Sequence, residues 1–151
     1  LGRSLKLQDF VRERSKGGLN DFLNYGYAVL LSTILQKLFA VGLDPTFGIS
    51  HMPRKRSTPL AYDLMEPFRP FVDWRVVQWV QKNPDPNLWQ VNKEFRAWVT
   101  GFPLEKVGYL DFTLEIRGCI EGVVRSFRRA VVENKPALYK PWTPRNSKWV
   151  G

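Results

Sequence analysis

Apolar residues recur at helical spacing through Leu19, Phe22, Leu23, Leu30, Ile34, Leu38 and Val41, until Gly42 and Pro45 break the pattern. This predicts a core helix over about residues 20–41, with Asn20 as its N-cap. The stretch GLDPTFGISHMPRKRS is interrupted repeatedly by glycine and proline, so it reads as a loop, and it carries His51. Thr58 followed by Pro59 is a helix start, because the hydroxyl caps free N–H groups and proline at the first helical position loses no bond. Pro67 and Pro70 then interrupt PLAYDLME before Val72, Val76, Val77 and Val80 resume a helical stripe, which predicts a kinked pair of helices.

The run Asn83 to Asn87 marks a loop, a shorter helix is expected over residues 88–99, and Gly101 with Pro103 closes it. The last long helix is expected from near Asp111. In it Ile116, Cys119, Ile120, Val123, Val124, Phe127 and Val131 share one arc, and Arg117, Arg125, Arg128 and Arg129 share another. No stretch alternates convincingly enough for a strand. The fold class expected is all-α, a compact multi-helix domain over 19–135 between a basic connector, 1–18, and a Pro/aromatic basic tail, 136–151.

Composition narrows the partners. At 151 residues and 44% hydrophobic, the chain has apolar material for one core. Lys and Arg number 23 against 14 Asp and Glu, and the net charge of +9 attracts polyanions. Nucleic acid is the first partner to consider, although net charge alone also fits acidic lipid or a ribosome. A single cysteine, Cys119, and a single histidine, His51, exclude an internal disulfide and a Cys/His zinc cluster, which fits a reducing cytoplasmic location. The longest apolar run, Val29 to Ala40, is interrupted by Ser32, Gln36 and Lys37, so no membrane span is expected. The opening from Leu1 has neither the apolar run nor the cleavage site of a signal peptide and reads as a chain entered midway.

The segments LNYGYAVLLS, GLDPTFGISH and STPLAYDLMEPFRP, in this order and spacing, resemble the CRISPR-associated adaptation (spacer-acquisition) integrase. The resemblance is close over about residues 10–82 and looser over YLDFTLEIRGCIEGVVRSFRRAVVENKP. It implies the helical catalytic domain, which in the family follows a small β-rich dimerisation domain that is lacking here. It also implies a divalent metal, Mg2+ or Mn2+, held by a glutamate on an early helix, a histidine after the core helix and an acidic residue on the next helix. His51 and Glu66 match the second and third ligands, with Asp63 one turn before Glu66. The first glutamate is expected upstream of Leu1, and Glu13 does not take its place, because VRERSKGGLN matches a connector.

The activity implied is integration of short captured DNA into a repeat array by transesterification from DNA 3′-hydroxyl ends. The partners implied are that DNA, further copies of the chain and the small companion adaptation protein, with no membrane. Two other functions stay open: a non-catalytic DNA-binding module, and a mobile-element transposase that uses the same fold.

Each candidate residue has an ordinary structural alternative. Asp63 and Glu66, at i and i+3, can point at one cation, or they are a solvated acidic helix face. Arg54, Lys55 and Arg56 directly follow His51 and suit phosphate contacts, or they form a solvated loop run. Arg117, Arg125, Arg128 and Arg129 form either a phosphate track or an exposed face, with Glu121 as the main acidic exception. Arg69 fits an internal ion pair or DNA. Asn24, Tyr25 and Tyr27 read as packing residues, and Tyr139, Trp142 and Trp149 as docked aromatics in preference to base-stacking ones.

Overall fold

The computed structural model describes residues 17–44 and 59–143. His51, Arg54, Lys55, Arg56, Glu13 and Trp149 lie outside the described residues. The described part is mostly helical: α1 (Leu19–Ala40), α2 (Pro59–Met65), α3 (Arg69–Lys82), α4 (Lys93–Val99) and α5 (Ile116–Val132), with an antiparallel pair β1 (Lys106–Tyr109) and β2 (Phe112–Glu115). No described helix is long and apolar enough to cross a membrane. The chain divides into two compact units, one of residues 1–29 and 70–102, the other of residues 30–69 and 103–151.

In the first unit the opening of α1 contributes Leu19, Phe22 and Leu23, and α3 contributes Phe71, Val72, Val76, Val77 and Val80, all buried. Phe95 of α4 is fully buried and meets Phe22 at 4.2 Å, Trp79 at 5.6 Å and Tyr25 at 6.0 Å between ring centroids. The packing needs a glycine. A Cβ at Gly26 would lie 2.5 Å from Val72 Cγ1, so the LNYGY segment presents backbone where the Val72 side chain sits.

Two expectations fail in this unit. Asn20 is not the N-cap, because α1 begins at Leu19 and its first turn is accepted by the carbonyl of Gly18; the Asn20 side chain is buried instead. The helix expected from residue 88 begins at Lys93. Asp85 starts a short 3-10 turn, Pro86–Leu88, and the true N-cap is Asn92, whose side chain accepts from the Phe95 N–H at 2.8 Å.

In the second unit, Leu30, Ile34 and Leu38 of α1 are fully buried, and so are Leu60, Ala61, Leu64, Met65 and Phe68 around α2. A 3-10 turn, Glu66–Phe68, with Pro67 near its start, ends α2 where the prolines predict an interruption.

The region expected to open the last helix is a hairpin. Val107 pairs with Leu114 and Tyr109 with Phe112, and the two-residue loop puts Leu110 at a φ of 53°. The alternation was concealed by Gly108 and by a leucine where such turns favour Asn or Gly. α5 therefore starts at Ile116, and its core face is Ile116, Cys119, Ile120, Val123, Val124 and Ala130. Val131, placed on the apolar arc by sequence, is 57% exposed. At Gly122 an added Cβ would lie 2.8 Å from the Tyr109 ring, so the hairpin approaches α5 where the helix has no side chain.

Candidate metal and nucleic-acid site

The exposure of Asp63 and Glu66 follows from the apolar positions around them. Leu60, Ala61, Leu64, Met65 and Phe68 are all 2% exposed or less and take one side of α2 and its 3-10 extension. Asp63 and Glu66 are left exposed, one turn apart. Glu66 Oε1 lies 3.0 Å from Arg69 Nη2, so Arg69 has an internal ion-pair partner in this structure. Both groups of that pair keep contact with water, so it contributes at most about 1 kcal/mol.

Two carboxylates one turn apart provide hard oxygen donors suited to Mg2+ or Mn2+. Among the described residues no three metal-ligating side chains converge. Asp63 and Glu66 fit a half-site for such a cation, and Arg69 competes for one Glu66 oxygen. His51, the other ligand that the resemblance implies here, lies outside the described residues.

The arginine arc of α5 carries more acid than expected. Arg125 meets Glu121 at 2.9 Å, Arg129 meets Glu133 at 2.8 Å, and Arg117 pairs with Glu115. Of the four, Arg128 has no carboxylate partner among the described residues. Glu121 also accepts from Lys37 of α1 at 2.9 Å, and hydrogen bonds from Lys37 and Arg125 hold its carboxyl below the usual glutamate range. These pairs are exposed and weak, so phosphate can displace them, but their carboxylates cancel part of the field the arginines would present.

Two aromatic residues of the C-terminal segment dock in the same unit as α2. Trp142 is buried, stacks on Phe68 at 6.0 Å and donates its indole N–H to the Gly108 carbonyl at 3.1 Å. Tyr139 packs edge-on against Phe127. Its phenol is pushed above the ordinary tyrosine range by burial first, then by the charges of Tyr109 and Asp63. Both residues are docked, as the sequence suggested, and the contact of Trp142 with Phe68 has no local sequence signal. Cys119 is inert as a nucleophile, because burial pushes its thiol up to about 12.

The family model for CRISPR associated protein Cas1 matches residues 6–96, more than half of the chain. The chain belongs to the Cas1 family. It is 42% identical over 59 residues to a CRISPR-associated endonuclease Cas1 of Saccharolobus solfataricus, covering 39% of this chain and 19% of that protein. Against the Cas1 endonuclease of Korarchaeum cryptofilum it is 39% identical over 74 residues, 49% of this chain and 21% of the other. Among solved structures, a casposase bound to integration product superposes with a TM-score of 0.67 at 26% identity, over 83% of this chain and 43% of the casposase chain. The chain thus spans about a fifth of the length of these curated Cas1 relatives. The Cas1 match includes α1, α2, α3, Asp63 and Glu66, and it ends before the hairpin and α5.

Proposed function

We propose that this chain is the helical catalytic part of a divalent-metal-dependent CRISPR adaptation integrase that inserts short captured DNA into a repeat array. The observation that carries the reading is the Cas1 match across residues 6–96, which includes both GLDPTFGISH and the DLMEP segment with Asp63 and Glu66 exposed together. In the reaction a DNA 3′-hydroxyl attacks a phosphorus of the repeat. The new P–O bond forms as the hydroxyl proton is lost to solvent, the old P–O bond breaks, and the leaving 3′-oxygen takes a proton from solvent to become a new 3′-hydroxyl. One phosphodiester replaces another, so no external energy is consumed.

A bound Mg2+ or Mn2+ would supply positive charge to the phosphodiester oxygens as negative charge builds on them. Glu66 and His51 are the ligands this chain offers, with Asp63 orienting the site or adding an oxygen. Arg54, Lys55 and Arg56 follow His51 in the chain and are assigned to the DNA backbone, because neither a mobile ammonium nor a guanidinium fork on phosphate reads bases. Arg128 is the arginine of α5 best suited to join them, since its charge is not already paired with a carboxylate among the described residues. The assembly includes further copies of the chain and the small companion adaptation protein.

The likeness to a casposase bound to integration product favours a second reading, in which the same residues act on mobile-element ends as a transposase. The two readings are separated by sequencing the junctions. The complete protein is given short duplexes with free 3′-hydroxyls and a plasmid carrying a repeat array. Joining confined to repeat borders supports spacer acquisition; joining spread over the plasmid, or demanding particular donor ends, supports transposition.

A further inference from the structure

We propose that the segment following α5, through Trp142, is a positioning strap for the carboxylate-bearing turn of α2, so that Trp142 sets the metal affinity of Glu66 without touching the metal. This rests on the reading of Glu66 as a ligand. Glu66 opens the 3-10 turn Glu66–Phe68, and Phe68 closes it with a side chain 1% exposed. The Trp142 ring lies on Phe68 at 6.0 Å and an interplanar angle of 31°. A turn so short transmits the position of its buried end to its exposed end, since three residues of 3-10 backbone leave few dihedrals to absorb a shift.

The strap is itself held by polar bonds from the hairpin and α5. Trp142 Nε1 donates to Gly108 O, Tyr109 Oη donates to Lys140 O at 2.6 Å, and the Lys140 N–H donates to Ser126 Oγ at 2.9 Å. Tyr139, in the same segment, packs edge-on against Phe127 of α5. A tail needed only for solubility would not bury an indole at 5% exposure against the residue that ends the ligand turn.

Supporting groups behind a metal ligand change affinity by about 10- to 100-fold when removed, which sets the effect to look for. Mn2+ binding to the complete protein is read by the loss of its free electron-paramagnetic-resonance signal, alongside thermal unfolding and duplex affinity, for the parent, Trp142→Ala, Trp142→Phe, Tyr109→Phe and Glu66→Ala. Trp142→Ala is expected to weaken Mn2+ binding by about tenfold with duplex affinity unchanged. Trp142→Phe, which keeps an aromatic on Phe68, should recover most of the loss. Tyr109→Phe deletes one strap bond and keeps the ring, so it should fall between the parent and Trp142→Ala even if the alanine variant folds poorly. Weakened binding in Glu66→Ala with parental affinity in Trp142→Ala and Tyr109→Phe overturns the strap alone. Parental affinity in Glu66→Ala as well overturns the ligand reading and the strap with it.

Discussion

The two compact units use their polar groups differently. In the first, polar side chains complete the packing: Trp98 donates to the Arg75 carbonyl at 3.0 Å while Arg75 donates back to the Trp98 carbonyl, with its guanidinium 3.9 Å from the Trp98 ring centroid. Trp89 donates to the Asn83 carbonyl at 2.8 Å. Both of these indole N–H groups meet a backbone acceptor, as a half-buried aromatic requires. In the second unit, Asp63 and Glu66 stand exposed, Glu121 bridges α1 and α5 through Lys37, and a strap of hydrogen bonds runs from the hairpin to Trp142. Changes in the first unit should therefore act on stability. Changes at the exposed Asp63 and Glu66 of the second should leave the chain folded.

The largest expected effect is in the first unit. Phe95→Ala removes a fully buried ring that three aromatic neighbours contact and should cost about 3–5 kcal/mol in denaturant unfolding. If that variant unfolds as the parent does, the aromatic cluster is not the core of its unit.

A smaller effect separates the α5 arginines. Arg128→Gln should lower the log–log salt slope of duplex binding by about 0.9, the value for one phosphate contact. Arg125→Gln and Arg129→Gln should each lower it by less, because Glu121 and Glu133 already engage them. Equal slopes for all three variants would mean that the ion pairs open freely on DNA.

The smallest effect concerns acid stability. The folded-state pKa of Glu121 is depressed, so the unfolded chain binds more protons as pH falls. The stabilisation is fully present above the ordinary glutamate range and is lost as pH drops through the lowered folded value. Unfolding measured against pH should show the parent more stable than Glu121→Gln at neutral pH, by at most about 1 kcal/mol, with the gap closing in acid. A gap that widens in acid would contradict the depressed pKa.

How much was legible in the sequence depended on whether the signal was local. The stripe from Leu19 to Leu38 and the break at Pro67 mark α1 and the end of α2 to within a residue or two, because periodicity and proline act within one element. The hairpin was missed because four-residue strands with Leu110 at positive φ have neither the length nor the turn residues that mark one. Glu133, four positions after Arg129, pairs with it at a spacing the sequence displays. That Asp63 and Glu66 lie one turn apart could be read from spacing, whereas a metal-binding role for them comes only from the family resemblance. The contact of Trp142 with Phe68 joins distant parts of the chain and has no local pattern.

The measurement that bears most directly on the central claim is metal-dependent strand joining by the complete protein with Glu66→Ala, assayed beside duplex affinity at the same salt. With Glu66 as a metal ligand and phosphate binding assigned to the basic residues, joining is expected to be abolished at saturating Mn2+ while duplex affinity stays within about twofold. Joining at the parental rate, or a loss of joining explained wholly by lost DNA binding, would contradict it.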